Sequence, residues 1–332
     1  MGIVTIKEES GTPKYKQIVI SIEEAIVNGS LKKGDKLPSL NSIKNQFSLS
    51  RDTVLSAFNE LKIRGIVQSV VGKGYYVLSE DVGVNQKIFV LFDELNSFKE
   101  DLYNSFLAAL GEKVQVDIFF HHFNPNVFDK LIKDNDGNYS HYVIMPANLM
   151  NTEASIKRLP DDKVYILDQV HKELLMYPSV YQNFKKDIYE GLTKGLSLIK
   201  SYEKIILLFS DIKQPSGIKE GFEMFCLNNN FKYEIIENLN DRVLSVGELY
   251  MLLDDRDLIR VIKRIKVEKL VIAKDIGVIS VNDSLLKEIV EGGITTISTD
   301  FNLMGKRLAH MIMNNEFAQI ENPNNLIVRK SL

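Results

Sequence analysis

Two sets of residues in this chain have the types and spacing of a working site. The first runs from Lys36 to Gly74. It reads Lys36-Leu37-Pro38-Ser39, then Ser50-Arg51-Asp52-Thr53, then Gly72-Lys73-Gly74. Val54, Ala57, Phe58 and Leu61 fall at i, i+3, i+4 and i+7, which is one apolar stripe of a helix. With that stripe inward, Arg51, Asp52, Thr53, Leu55 and Ser56 are left on the outer side of the first turns. Ser50 is placed to cap that helix, and Ser39 to cap a preceding one whose inner face is Leu40, Ile43 and Phe47. Ser48-Leu49 is the tight turn between them. An arginine at the start of the second helix of such a pair carries the planar fork that bonds guanine in the major groove. A single surface arginine usually means only solvation, so the surrounding motif carries the argument. Gly72 and Gly74 supply positive φ, and Lys73 at their tip is placed to meet a phosphate or the minor groove.

The second set is scattered along the rest of the chain. Short apolar runs end repeatedly in carboxylates and amides: Asp93, Asn148, Asp168-Gln169, Ser210-Asp211, Asp254-Asp255 and Asn282-Asp283. Ligands of open α/β sheets bind outside the carboxyl ends of the strands. A ring of acceptors there, without histidines at metal spacing, suits a ligand rich in hydroxyls. Leaving one such partner unmatched costs ~1–3 kcal/mol, which is a source of selectivity. Phe98, Tyr181 and Phe301 are candidates for the apolar face of a sugar. Each aspartate taken singly reads equally well as a helix cap, because each precedes a helix. Recurrence across strands carries the reading.

The elements that must position these residues fall into three stretches. Residues 1–80 form a head. Tyr15, Ile18, Val19, Ile22, Ala25 and Ile26 make one helical stripe, opened by Pro13 and ended by Gly29. Gly34-Asp35 is a turn, and residues 66–78 read as two short strands about the Gly-Lys-Gly tip. Residues 81–86 are a polar linker. From residue 87 to 332, strands at 88–92, 114–120, 142–145, 164–167, 205–209, 233–236, 249–253 and 278–281 alternate with helices at about 98–110, 189–200, 218–227 and 258–265. That alternation means α/β architecture with parallel sheet, and the length calls for two lobes. The expected fold class is therefore multidomain, an α+β winged helix-turn-helix followed by a two-lobed α/β domain.

Composition narrows the classes. Hydrophobic residues at 45% and charged residues at 26% are those of a soluble globular protein. No apolar run approaches the ~18 residues of a membrane span, and no charged-then-apolar leader opens the chain. Cys226 is the single cysteine, which excludes an intramolecular disulfide and a cysteine-cluster zinc site. These features fit a cytoplasmic protein with no membrane contact. The net charge of −3 is unevenly spread: residues 1–80 carry 11 Lys+Arg against 8 Asp+Glu, and the remainder 30 against 36. A mildly basic head on an acidic body suits a DNA-reading head. His121-His122 would point to opposite faces of a strand and cannot chelate together. No nucleophile elbow and no phosphate-cradling glycine loop is present. No catalytic residue, metal or cofactor is assigned.

The head resembles a known family. Pro13-Lys14-Tyr15-Lys16-Gln17-Ile18, Gly34-Asp35-Lys36-Leu37-Pro38-Ser39, Ser50-Arg51-Asp52-Thr53-Val54 and Gly72-Lys73-Gly74-Tyr75-Tyr76-Val77 are similar to the DNA-binding domain of the GntR family of bacterial transcription regulators. The resemblance covers about residues 5–78, four blocks in order. It implies base contact by Arg51, backbone contact by Thr53, and minor-groove entry by Lys73 and Gly74. Leu40-Asn41 and Leu55 stand where many members carry charged residues, so the operator sequence does not carry over.

The body resembles the effector domain of the lactose-repressor family, itself similar to periplasmic sugar-binding proteins. The matching blocks are residues 275–283, 294–301 and Met304-Gly305, with Val180-Tyr181-Gln182-Asn183 at the crossover and the Gly-Phe helix start at Gly217–Phe222. The resemblance implies effector contacts from Gln182 and Asn183. Ile218 stands where it expects a sugar-binding arginine, with Lys219 beside it, and Asn282 where it expects an aspartate.

The expected function is a sequence-specific, DNA-binding repressor, dimeric, controlled by a small sugar or sugar derivative held between two lobes. The expected partners are a double-stranded DNA operator, the sugar and a second copy of the chain. The DNA-binding candidates are Lys36, Pro38, Ser39, Ser50, Arg51, Asp52, Thr53, Lys73 and Gly74. The effector candidates are Asp93, Phe98, Asn148, Gln182, Asn183, Lys219, Asp254, Asp255, Asn282 and Phe301. The alternative is a sugar-converting α/β enzyme with an accessory head, disfavoured because no acid-base pair of suitable kind emerges.

Overall fold

The head is built as three helices and a hairpin. The helices are α1 (Lys14–Val27), α2 (Leu40–Phe47) and α3 (Arg51–Ile63); the strands are β1 (Val67–Val70) and β2 (Gly74–Val77). Ser39 and Ser50 cap α2 and α3 by accepting from the amides of Ser42 and Thr53. Ser48 takes a left-handed conformation, φ 52°, and sets the turn between them. Ile18, Ile22, Ile43, Val54, Phe58 and Leu61 close a single core. The computed structural model describes residues 2–7, 11–240 and 242–332.

The body begins at β3 (Gln86–Phe92) and runs through α4 (Ser97–Leu110), β4 (Val114–Phe120), α5 (Pro125–Asn135), β5 (His141–Ile144), α6 (Glu153–Ile156), β6 (Val164–Asp168) and β7 (Ser179–Tyr181). The chain then crosses into α7 (Phe184–Lys194), α8 (Leu196–Ile199), β8 (Lys204–Leu208), α9 (Ser216–Asn228), β9 (Lys232–Ile236), β10 (Glu248–Leu252), α10 (Asp255–Val267), β11 (Ile276–Val281), α11 (Leu285–Ile289) and β12 (Thr295–Thr299). It ends with α12 (Phe301–Met313), β13 (Gln319–Glu321) and β14 (Asn324–Ile327).

These strands make two six-stranded sheets, ordered β13-β7-β6-β5-β3-β4 and β14-β12-β11-β10-β8-β9. Every pairing in them is parallel except β12 with β14. The near-continuous apolar strands, such as Ile205 to Leu208, are those of sheets covered on both faces. The first sheet defines lobe one and the second lobe two.

Three segments join the lobes. The chain passes from β7 to α7 at Gln182-Asn183, from β12 to α12 at Asp300, and from β13 to β14 at Asn322-Pro323. After the second crossing α12 returns to lobe one and packs on α4, its Met304 and Leu308 entering the same core as Leu102 and Phe106. The approach is close enough that a Cβ on Gly305 would stand 2.3 Å from the Leu102 carbonyl oxygen.

Eight of the twelve body strands fall where the sequence pattern puts them, and three helices differ from expectation near the site. The helix expected at 189–200 starts at Phe184, where Asn183 caps it, and is interrupted at Gly195. Helix α5 was not anticipated, although Asn124 caps it and Pro125 is its first residue. Helix α12 was visible only as part of a resemblance block.

Candidate DNA interface and ligand cleft

The reading face of the head follows from two serine caps. Ser50 Oγ accepts from the Thr53 amide at 3.0 Å and lies 2.8 Å from Thr53 Oγ1. This starts α3 at Arg51 and fixes its phase. Val54, Ala57, Phe58 and Leu61 are buried, whereas Arg51 and Asp52 are exposed and Thr53 half-buried. Among the described residues the exposed Arg51 side chain has no ion-pair or hydrogen-bonding partner, so its five donors are free for a ligand.

The hairpin stands beside α3. Residues Val67 to Val70 pair with Val77 to Gly74, and Phe58 packs edge-on against Tyr75. Gly72 and Gly74 have φ of 72° and 107°, which places Lys73 at an exposed tip. Lys36 bridges to Tyr76, adding a third extended segment, and its ammonium lies 5.9 Å from the Tyr76 ring. Pro38 is half-buried, while Ser39 at the start of α2 is exposed. All nine DNA-binding candidates thus belong to three neighbouring segments: the entry to α2, the first turn of α3 and the wing.

The linker is pinned to the head. Arg64, just beyond α3, donates through Nε to the Val84 carbonyl at 2.8 Å and through Nη2 to the Val82 carbonyl at 3.0 Å. The same guanidinium pairs with Glu23 at 2.5 Å. The chain entering β3 is therefore tied to the C-terminal end of α3 by two hydrogen bonds.

Between the lobes lies a cavity of about 350 Å³. Strand ends and helix starts of both lobes line it, as the topology of parallel sheets requires. Asp93, Phe98, Gln182, Asp254, Asp255 and Asn282 are in its wall, as expected from sequence. Three strand ends reach it through left-handed, non-glycine residues: Ala147, Asp168 and Asn282, with φ of 50°, 73° and 61°. Such backbone costs ~1–3 kcal/mol per residue and persists where the surroundings enforce it.

The charges in this wall are mostly paired within the protein. Asp93 forms an ion pair with Lys99 in the first turn of α4, and both are buried. Gln182 donates to Asp168 Oδ1 at 2.5 Å. Burial holds the Asp168 carboxyl above the ordinary range, opposed by the nearby Lys99 charge. In lobe two, Lys287 is buried and donates to the carbonyls of Val281 and Asn282 at 2.9 and 2.6 Å, with Asp255 Oδ1 at 3.1 Å. Its burial lowers its pKa, opposed by Asp255. Asp254 caps α10 through the Arg256 amide at 2.7 Å.

Four sequence candidates lie outside the wall. Asn148 points across to lobe two, donating from Nδ2 to the Gln214 carbonyl at 2.8 Å. Asn183 caps α7 and donates to Glu321 at the third crossover, at 3.1 Å. Lys219 is rotated one helical step from the wall, beside Asp211 and 5.9 Å from the Phe209 ring. Its neighbour Ile218 faces the cavity instead, because Gly221 presses α9 against α7 and fixes the phase; a Cβ there would meet the Lys185 carbonyl oxygen at 2.4 Å. Phe301 is buried as the first residue of α12 and stacks behind Phe98 at 4.8 Å. Tyr181 likewise belongs to the crossover, not to the wall.

Residues that sequence reasoning missed are as informative. Lys99 sits three residues before Leu102 and seven before Phe106, on the inward stripe of α4. A lysine in that phase signals a buried acid. Asn322, 2% exposed, ties the crossovers together: Nδ2 donates to Thr299 Oγ1 and the Asp300 carbonyl, and its amide to the Tyr181 carbonyl. No sequence signal marks it. His121 lies behind Asp93, fully buried, and its pKa is depressed by burial.

A winged helix-turn-helix joined to two parallel-sheet lobes around a cleft defines a DNA-binding regulator architecture. The chain belongs to the gntR family of bacterial regulatory proteins, whose model matches residues 14–77. It is 33% identical over 115 residues to the HTH-type transcriptional repressor YtrA of Bacillus subtilis strain 168, spanning 85% of that protein and 35% of this chain. It is 41% identical over 90 residues to the mannosyl-D-glycerate transport/metabolism system repressor MngR of Escherichia coli K12. That match spans 35% of the relative and 27% of this chain.

The body has the fold of lactose-repressor-like and periplasmic-binding-protein-like regulators. The trehalose repressor from Escherichia coli superposes with a TM-score of 0.61 at 15% identity, over 73% of this chain and 99% of that one. A LacI family regulator from Enterococcus faecium with bound ribose gives 0.61 at 15% identity, over 74% and 98%. Among the described residues no helix is long and apolar enough to cross a membrane, and no group of three or more His, Cys, Asp or Glu is placed to hold a metal ion.

Proposed function

We propose that this protein is a cytoplasmic, dimeric transcription repressor released from, or recruited to, its operator by a small polyhydroxyl ligand of the sugar class. The observation that carries the reading is the joining of an unpartnered recognition face to a two-lobed cleft through the linker that Arg64 pins. Arg51 and Lys73 supply base and groove contacts on each of two half-sites. Asp93, Asp168, Gln182, Asp254 and Asn282 supply acceptors and amides to hydroxyls, and Phe98 and Ile218 an apolar wall. A ligand shifts the operator equilibrium only as far as it discriminates between lobe arrangements.

The relatives named by comparison support a repressor, and the solved regulators of this fold support a sugar-sized ligand. Fluorescence anisotropy on DNA from the promoter beside its own gene tests the first half. Sequence-specific binding that competitor DNA fails to displace is expected; equal affinity for any duplex overturns it. A thermal-shift screen of monosaccharides and sugar derivatives tests the second, since a ligand at 100 Kd adds about 2.7 kcal/mol. Turnover of a sugar by the protein would overturn the regulator reading in favour of an enzyme.

A further inference from the structure

We propose that the loop joining β8 to α9, residues 209–215, is a latch that holds the two lobes closed. Three contacts run from it to three different loops of lobe one. Lys213 Nζ lies 3.7 Å from Glu94 Oε2, in the loop after β3. The same ammonium is 5.8 Å from the centre of the Phe123 ring, in the loop after β4. The Gln214 carbonyl accepts from Asn148 Nδ2 at 2.8 Å, in the loop after β5.

The loop is braced so that these contacts act together. Gln214 Oε1 accepts from the Ser210 amide at 2.6 Å, and the Lys213 and Gln214 amides donate to the Ser210 carbonyl at 3.3 and 3.1 Å. Lys213 and Gln214 thereby form the end of a turn that starts at Ser210, two residues beyond the buried strand β8. The three contacts are separate from the three covalent crossovers. They add non-covalent ties between lobes that the chain itself does not join there.

The latch contacts belong to the protein alone, which sets their consequence. A ligand that bridges two lobes must supply whatever closure costs. Here a hydrogen bond, a cation–π contact and a partly exposed ion pair supply part of it in advance. Such contacts are individually weak, and together shift an open–closed ratio by about tenfold. Asn148, which its sequence position marks as a ligand contact, acts instead on the population of the closed form. This consequence rests on the cleft being the effector site; the latch itself does not.

The test uses the full chain without ligand or DNA, so its outcome is independent of whether the cleft binds a sugar. Small-angle scattering reports the radius of gyration, and amide hydrogen exchange reports protection of residues 93–96, 121–124 and 146–149. Asn148→Ala and Lys213→Glu are each expected to expand the molecule and speed exchange in all three segments, with the double variant raising the open fraction about tenfold. The charge swap Glu94→Lys with Lys213→Glu is expected to recover compactness lost in Lys213→Glu. Unchanged dimensions and protection in the double variant overturn the latch. So does a charge swap that stays as open as Lys213→Glu while melting as a folded protein.

Discussion

The recognition face and the cleft differ in how far their polar groups are already satisfied. On the head, Arg51 and Lys73 face outward with no protein partner among the described residues. In the cleft, Asp93 is held by Lys99, Asp255 by Lys287, and Asp168 by Gln182. An unpartnered cation on a rigid helix start keeps its full interaction for a phosphate or base. A prepaired carboxylate offers only its remaining lone pairs, in a direction its partner has fixed. On the proposed function, the head's binding residues are ones that folding does not need, whereas the cleft's are ones that folding does need. Substitutions should separate the two regions by whether stability moves with binding.

The largest expected effect breaks a cleft pair. Lys99→Ala leaves Asp93 buried without its counter-ion, and loss of one partner of a buried pair costs ~3–5 kcal/mol. Chemical denaturation should show that loss, and Lys99→Ala/Asp93→Ala should recover much of it. A Lys99→Ala protein as stable as the parent would place the pair with exposed ones and erase the contrast.

Next in size is a carboxyl at the hinge. Asp187 in α7 is buried, with Oδ2 unpartnered, and faces Glu321 of β13; Lys186 and Glu190 of its own helix are the other charges nearby. Burial first, then Glu321, raises its pKa from 3.8 to about 7. Below pH 4 both folded and unfolded forms hold the proton, so it costs nothing. As pH rises from 4 to 7 the unfolded form releases its proton and the folded form keeps it, and stability falls; above 7 the loss is constant. Asp187→Asn should flatten that slope and be the more stable protein at pH 8, by on the order of 2 kcal/mol. Parallel melting curves of parent and variant from pH 4 to 8 would falsify the assignment.

How much was legible in the sequence follows the same division. The head was readable because its site is made by local rules: serine caps, a 3.6-residue stripe and a glycine-flanked tip fix Arg51 and Lys73 within a few residues of chain. The cleft was readable only as strand ends. Asp93, Asp254 and Asn282 reach it because parallel strands deliver their carboxyl ends to one rim. Asn148, Asn183, Lys219 and Phe301 also follow strands or open helices, yet tertiary phase turns them elsewhere. Lys219 fails by one residue, since a helix step of 100° exchanges it for Ile218. Phe301 fails because α12 crosses back to lobe one, a topological event with no local signature. Asn322 gathers its partners from Tyr181, Thr299 and Asp300, and no spacing encodes that.

Arg51→Ala gives the clearest reading of the head. The side chain touches nothing that holds α3 in place, so the melting temperature should stay within a degree or two of the parent. Operator affinity should fall by ~1–3 kcal/mol per half-site, with discrimination against a changed guanine lost at the same time. Anisotropy titrations on the operator and on a half-site variant measure both, and full, sequence-specific binding by Arg51→Ala would remove it from the reading face.

The smallest expected effect lies where the contrast between regions should fail. Ser50 is on the reading face, yet it is also structural: Oγ caps α3 and contacts the Thr53 hydroxyl at 2.8 Å. Loss of a serine cap costs ~1 kcal/mol. Ser50→Ala should therefore lower stability modestly and weaken operator binding together, because the first turn that carries Arg51 and Thr53 frays. Ser50→Asp restores a cap while adding a negative charge beside DNA. It should recover the melting temperature but not the affinity, the loss growing as ionic strength falls. Recovery of both by Ser50→Asp would mean that the cap alone matters at this position and that the backbone does not approach it.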